Sequence, residues 1–183
     1  MSLRKIAKTA AILAALALAL SAFPTSANAD LLGSQVTGTL YYPDLSTIYG
    51  GPLGPYTVTG AVEFPTGTLA FDGDLDVTGT QVIWTATLEE QYGGGSFNGF
   101  VLDFAGAPGI ASVTVDGAST MVVDAAWSTP TRIYLSVQGD HALVGQQAIL
   151  DVEFAAPTPE PTSLFLIAAG LLGMIGFIRK RSD

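Results

Sequence analysis

The residues best equipped to do chemistry are few, and most of them are oxygen-bearing. Asp72-Gly73-Asp74-Leu75-Asp76 sets three carboxylates at alternate positions, the spacing with which a calcium loop begins to wrap a hard cation. The rest of that loop is missing: its sixth position falls on Val77 rather than glycine and its twelfth on Ile83 rather than glutamate. On a strand, alternate residues share a face, so Asp72, Asp74 and Asp76 are expected to project together from a solvated strand or turn. Ca2+ is the one cation the spacing suggests, and no other cofactor is expected. Tyr41, Tyr42, Tyr49 and Tyr56 form an aromatic, uncharged group around a Gly/Pro-rich segment. Rings of this kind beside carboxylates can stack on sugar faces, so these four are the candidate glycan-binding residues, with Trp127 a lesser one. The alternative is edge-strand packing and an irregular loop.

An enzyme is not legible. Gly94-x-Ser96-x-Asn98 approaches the nucleophile elbow G-x-S-x-G but lacks its last glycine, and no helical pattern follows. His141 is the only histidine, and Asp140 beside it in sequence cannot orient its imidazole as a triad carboxylate does. Glu89 and Glu90 are adjacent, so on a strand they face opposite ways and cannot flank one glycosidic bond. The chain has no cysteine, which excludes disulfide scaffolds, thiol nucleophiles and thiolate zinc sites.

The elements that must position these residues read as strands. Val82, Trp84, Ala86 and Leu88 alternate with Ile83, Thr85 and Thr87; Ala111, Val113 and Val115 alternate with Ser112 and Thr114. Ile133, Leu135 and Val137, then Ala148, Leu150, Val152 and Phe154, repeat the pattern, with Gly/Asp turns between. Further strands are expected over 34–42, 56–64, 68–77, 100–104 and 121–127. Some nine short strands without a helical stripe predict an all-β domain, a single antiparallel β-sandwich of Ig-like or jelly-roll type. Its expected core includes Phe64, Trp84, Phe100, Phe104, Leu135, Leu150 and Phe154.

The 183 residues carry a net charge of −9, with only 13% charged side chains against 49% hydrophobic ones. Mean hydropathy is +0.45, and the excess lies at the two ends. Arg132 is the one basic residue between Asp30 and Glu160. Nucleic-acid binding requires cations that displace counterions from phosphate, so that class is excluded.

Arg4, Lys5 and Lys8 precede an Ala/Leu/Ile run over 10–22, and Ala27-Asn28-Ala29 supplies small residues before Asp30. This is the layout of a secretory signal cleaved by signal peptidase between Ala29 and Asp30; the alternative is a retained N-terminal anchor. Near the other end, Pro157, Pro159 and Pro161 hold the chain extended. An uncharged run over 164–178 and the basic cluster Arg179-Lys180-Arg181 follow, as for a short membrane helix with its basic end in the cytoplasm. Three regions are therefore expected: a signal peptide over 1–29, the β domain over 30–156 and a C-terminal signal over 157–183.

Pro159-Glu160-Pro161, the short apolar helix and the terminal Arg179-Lys180-Arg181 together resemble the PEP-CTERM sorting signal of Gram-negative bacteria. The resemblance implies recognition by exosortase, a membrane transpeptidase that cleaves near the motif. It implies an inner-membrane-anchored precursor that is then displayed at the cell surface or released. It also implies an association with exopolysaccharide and biofilm. The reading is a non-enzymatic, exported protein with a structural or interaction role in such a layer; the alternative is a carbohydrate-binding module.

Overall fold

A computed structural model describes residues 29–69 and 72–156. The signal segment up to Asn28, the helix expected over 164–178, and the sorting residues Pro159, Glu160, Pro161, Arg179, Lys180 and Arg181 lie outside the described residues. Ala29–Ala155 forms one compact unit. It is all-β with antiparallel pairing and contains no helix among the described residues.

Twelve strands are described. One five-stranded sheet has the order β2 (Ile48–Thr57), β1 (Gln35–Tyr41), β7 (Gly99–Ala105), β10 (Arg132–Ser136) and β9 (Ala125–Thr129). The second has the order β3 (Val62–Phe64), β4 (Gly73–Val77), β5 (Gln81–Ala86), β12 (Gln147–Phe154) and β8 (Ile110–Val115). A short ribbon pairs β6 (Glu90–Gln91) with β11 (His141–Ala142).

Alternation decides which side chains turn inward. Val82, Trp84 and Ala86 of β5 are buried, as are Ile133 and Leu135 of β10 and Ala148, Leu150 and Val152 of β12. Residues from both five-stranded sheets contribute to one hydrophobic cluster. At its centre Trp84 meets Phe100 of the other sheet edge to face, with ring centroids 5.6 Å apart, and meets Tyr92 at 5.3 Å. Removing this much apolar surface from water is the main stabilising term for a chain without disulfides. Gly73 of β4 makes room for that centre: a Cβ there would collide with the Trp84 indole and with the Thr85 carbonyl.

Four expectations change. The strand expected over 68–77 is β4, which starts at Gly73, while Thr68 and Leu69 lie outside any strand. The strand expected over 56–64 is two pieces, β2 ending at Thr57 and β3 starting at Val62. The strand expected over 121–127 starts at Ala125. In β8, Ile110 and Val113 are buried, whereas Ala111 and Val115 are exposed. β8 is an edge strand, and its register with β12 shifts between Glu153 and Phe154; that irregularity breaks a strict two-residue period.

Candidate functional site

The two sheets end together on one side of the domain, and the chain segments leaving them build a cleft there. β1 delivers Tyr42 just past its last residue, β4 begins just after Asp72, and β6 supplies Glu90 and Gln91. Tyr49 reaches in from β2, and Tyr92, Gly93 and Asn98 come from the segment joining β6 to β7. The cleft has a volume of about 370 Å³, within the range of small-molecule sites.

Tyr42 and Tyr49 meet edge to face, with centroids 6.1 Å apart and planes at 88°. Gly93 is needed beside them, because a Cβ there would come within 2.6 Å of the Tyr42 hydroxyl. The segment is tied down by backbone bonds. Ser96 and Phe97 donate to the Pro43 carbonyl, and Tyr92 donates to that of Asp140. The Asn98 side chain donates to the Gly93 carbonyl at 3.2 Å.

The acid groups of the cleft are Asp72 and Glu90. A side-chain hydrogen bond to Asp72 raises the Glu90 pKa above the ordinary carboxylate value, with burial and the Asp72 charge adding to it. Burial pushes the Tyr92 phenol well above its usual range, and the charges of Glu90, Asp72 and Asp140 act in the same direction. Arg132 is the one lysine or arginine among the described residues, and it pairs with Asp103 across β10 and β7. Its guanidinium, also hydrogen-bonded to Tyr134, is held more basic still.

The other sequence-selected residues are distributed as follows. Asp74 accepts from the backbone N–H and the hydroxyl of Thr66, both at 2.8 Å. Asp76 has one carboxylate oxygen that is buried and unpartnered, and burial raises its pKa. No group of three His, Cys, Asp or Glu positioned for a metal ion occurs among the described residues. Asp72, Asp74 and Asp76 thus have separate surroundings. Tyr56 packs on Phe64 at 5.3 Å, and neither Tyr56 nor Tyr41 lines the cleft. Trp127 is stacked on Tyr134 at 4.7 Å and touches the buried Phe97 edge to face. His141 pairs with Glu89 at 3.1 Å, while Glu90 turns to the cleft, which is the divergence their adjacency implies. Tyr92 and Asn98 carried no signal in the sequence, since what recruits them is the meeting of two sheet ends.

The decisive observation on export lies in the sequence beyond the last strand. Residues 157–181 match the family model of the PEP-CTERM protein-sorting motif. The chain carries this sorting motif. The PEP-CTERM motif implies an exported, membrane-anchored precursor that exosortase processes and that is then displayed at the surface. Its first residue, Pro157, follows closely on Ala155, whose N–H donates to the Gly109 carbonyl at 2.7 Å. No curated protein and no solved structure matches the chain.

Proposed function

We propose that this protein is a non-enzymatic component of an exopolysaccharide or biofilm layer, a β-sandwich delivered there by exosortase with a structural or interaction role. The PEP-CTERM motif directly after a folded β domain carries the reading. An acidic β domain with one arginine suits solubility and contact with neutral or cationic polymers better than contact with anionic ones. The test is deletion of the chain followed by measurement of matrix polysaccharide retained on cells. Loss of retained polysaccharide, restored by the intact chain and not by one truncated after Ala156, is expected. Unchanged retention contradicts the proposal.

A second reading is carbohydrate binding by the domain itself. It is favoured by the convergence of Tyr42 and Tyr49 with Asp72 and Glu90 in one cleft, since amphipathic rings and carboxylate acceptors suit a polyhydroxylated ligand. Binding on a glycan array that Tyr42→Ala abolishes supports this reading; an array without binders removes it.

A further inference from the structure

Within the β domain the cleft lies at the opposite pole from Leu31 and from the end of β12, the exit pole. The Leu31 N–H donates to the Gly79 carbonyl at 2.8 Å, and the Val152 N–H to that of Thr80 at 2.8 Å. Gly79 and Thr80 form the turn of the β4–β5 hairpin, whereas Asp72 and Thr87 mark that hairpin's other end. β12 runs from the cleft pole to the exit pole, eight residues and about 26 Å of extended chain. Tyr42, Tyr49, Asp72 and Glu90 therefore lie at the pole of the β domain away from Leu31 and Val152.

The chemistry of that pole is specific in sign. Tyr42, Tyr49 and Tyr92 line the cleft together with the acid groups of Asp72 and Glu90. Arg132 is engaged elsewhere and His141 is already paired with Glu89, so among the described residues no lysine or arginine neutralises the pair. An incoming ammonium could donate to the Asp72 and Glu90 oxygens and sit against ring faces, the combination that retains amines in aromatic cages. A carboxylated or phosphorylated ligand would meet Asp72 and Glu90 with no lysine or arginine of the cleft to offset them.

We propose that this cleft binds the protonated amine of an amino sugar carried on an extracellular polymer, a deacetylated hexosamine unit. The proposal rests on the carbohydrate-binding reading and narrows it to a cationic sugar. Tyr49 supplies an exposed ring, Tyr42 a second at right angles to it, and Asp72 and Glu90 the counter-charge.

The test uses the exported domain with a short chitosan oligosaccharide and its fully N-acetylated counterpart, below the pKa of the amine. Calorimetry is run on the wild type, Tyr49→Ala, Glu90→Gln and Glu153→Gln. Tyr49 is 64% exposed, so its truncation leaves the core intact, and Glu153 near the exit pole hydrogen-bonds only to Ser112 among the contacts described. The expected result is that the deacetylated sugar binds, that acetylation weakens it about 10-fold or more, and that Y49A and E90Q each weaken it about 5- to 10-fold. E153Q should stay within about 2-fold, as a distant exposed charge is screened. Equal binding of both sugars overturns the ammonium inference and leaves carbohydrate binding standing. Binding of neither overturns both. Binding of the deacetylated sugar that E153Q weakens as much as E90Q overturns the cleft, since the attraction would then be diffuse.

Discussion

Glu90 is hydrogen-bonded through its side chain to Asp72, and that partnership holds its carboxyl above the ordinary value of 4.5. The two come from different strand ends, and the cleft between the sheet ends is what brings them into contact. The site is thus built around an acid pair that resists full ionisation.

The pair makes stability depend on pH in a stated direction. A carboxyl with a raised folded pKa favours the fold fully below its unfolded value, and the contribution is lost as pH rises through the folded one. Thermal midpoints should therefore fall as pH climbs from the ordinary carboxylate value toward neutrality. Glu90→Gln should flatten this slope and match or exceed the wild type at neutral pH. Asp76, also raised, leaves part of the slope in place, and Asp76→Asn added to Glu90→Gln should flatten it further. A slope identical in wild type and E90Q would show that the pair is not coupled to folding.

Gly93→Ala separates the cleft from the fold. The added methyl meets the Tyr42 hydroxyl at 2.6 Å, the free end of a side chain that can swing aside. The expected stability change is below about 1 kcal/mol, while cross-relaxation between the Tyr42 and Tyr49 rings should weaken sharply in aromatic NMR spectra. A retained ring contact would mean that the Gly93 backbone yields instead.

Glu63 has a structural assignment. It is 8% exposed and accepts from the Thr59 N–H at 3.0 Å and the Val77 N–H at 2.8 Å, joining β3 to the end of β4. Glu63→Ala leaves both donors without their acceptor and should cost about 1–3 kcal/mol in denaturant unfolding, with Glu63→Gln milder because one acceptor remains. A loss below a few tenths of a kcal/mol would contradict this role.

Arg132 should matter little. Its side chain and that of Asp103 are 43% and 42% exposed, and pairs in that setting contribute about 0–1 kcal/mol. Arg132→Ala is expected to lower stability by no more than about 1 kcal/mol, with a smaller loss in high salt.

The central strands were legible in the sequence because one face is fully buried and the other is not. Trp84, Leu135 and Leu150 sit in clean two-residue periods and all reach the core. The edges were less legible. β2 carries Gly50, Gly51, Pro52, Gly54 and Pro55 and is mostly exposed; it pairs on one side only, where missing N–H groups are tolerated and no burial pattern is imposed. β6 and β11 are two residues each, too short for any period. For the cleft, Tyr42, Tyr49 and Asp72 stood out by residue type and Glu90 by its adjacency to Glu89. Their convergence depends on which strand ends meet, a long-range property that local pattern does not encode.

Export and processing at the PEP-CTERM motif are the centre of this account, and the intact mass of the native protein recovered from the cell surface and medium tests them most directly. The account gives a species that begins at Asp30 and ends near Pro159 to Pro161, with or without an added group. A species that retains residues 164–183 and stays in the inner membrane would contradict it, and would make the C-terminal segment a plain anchor.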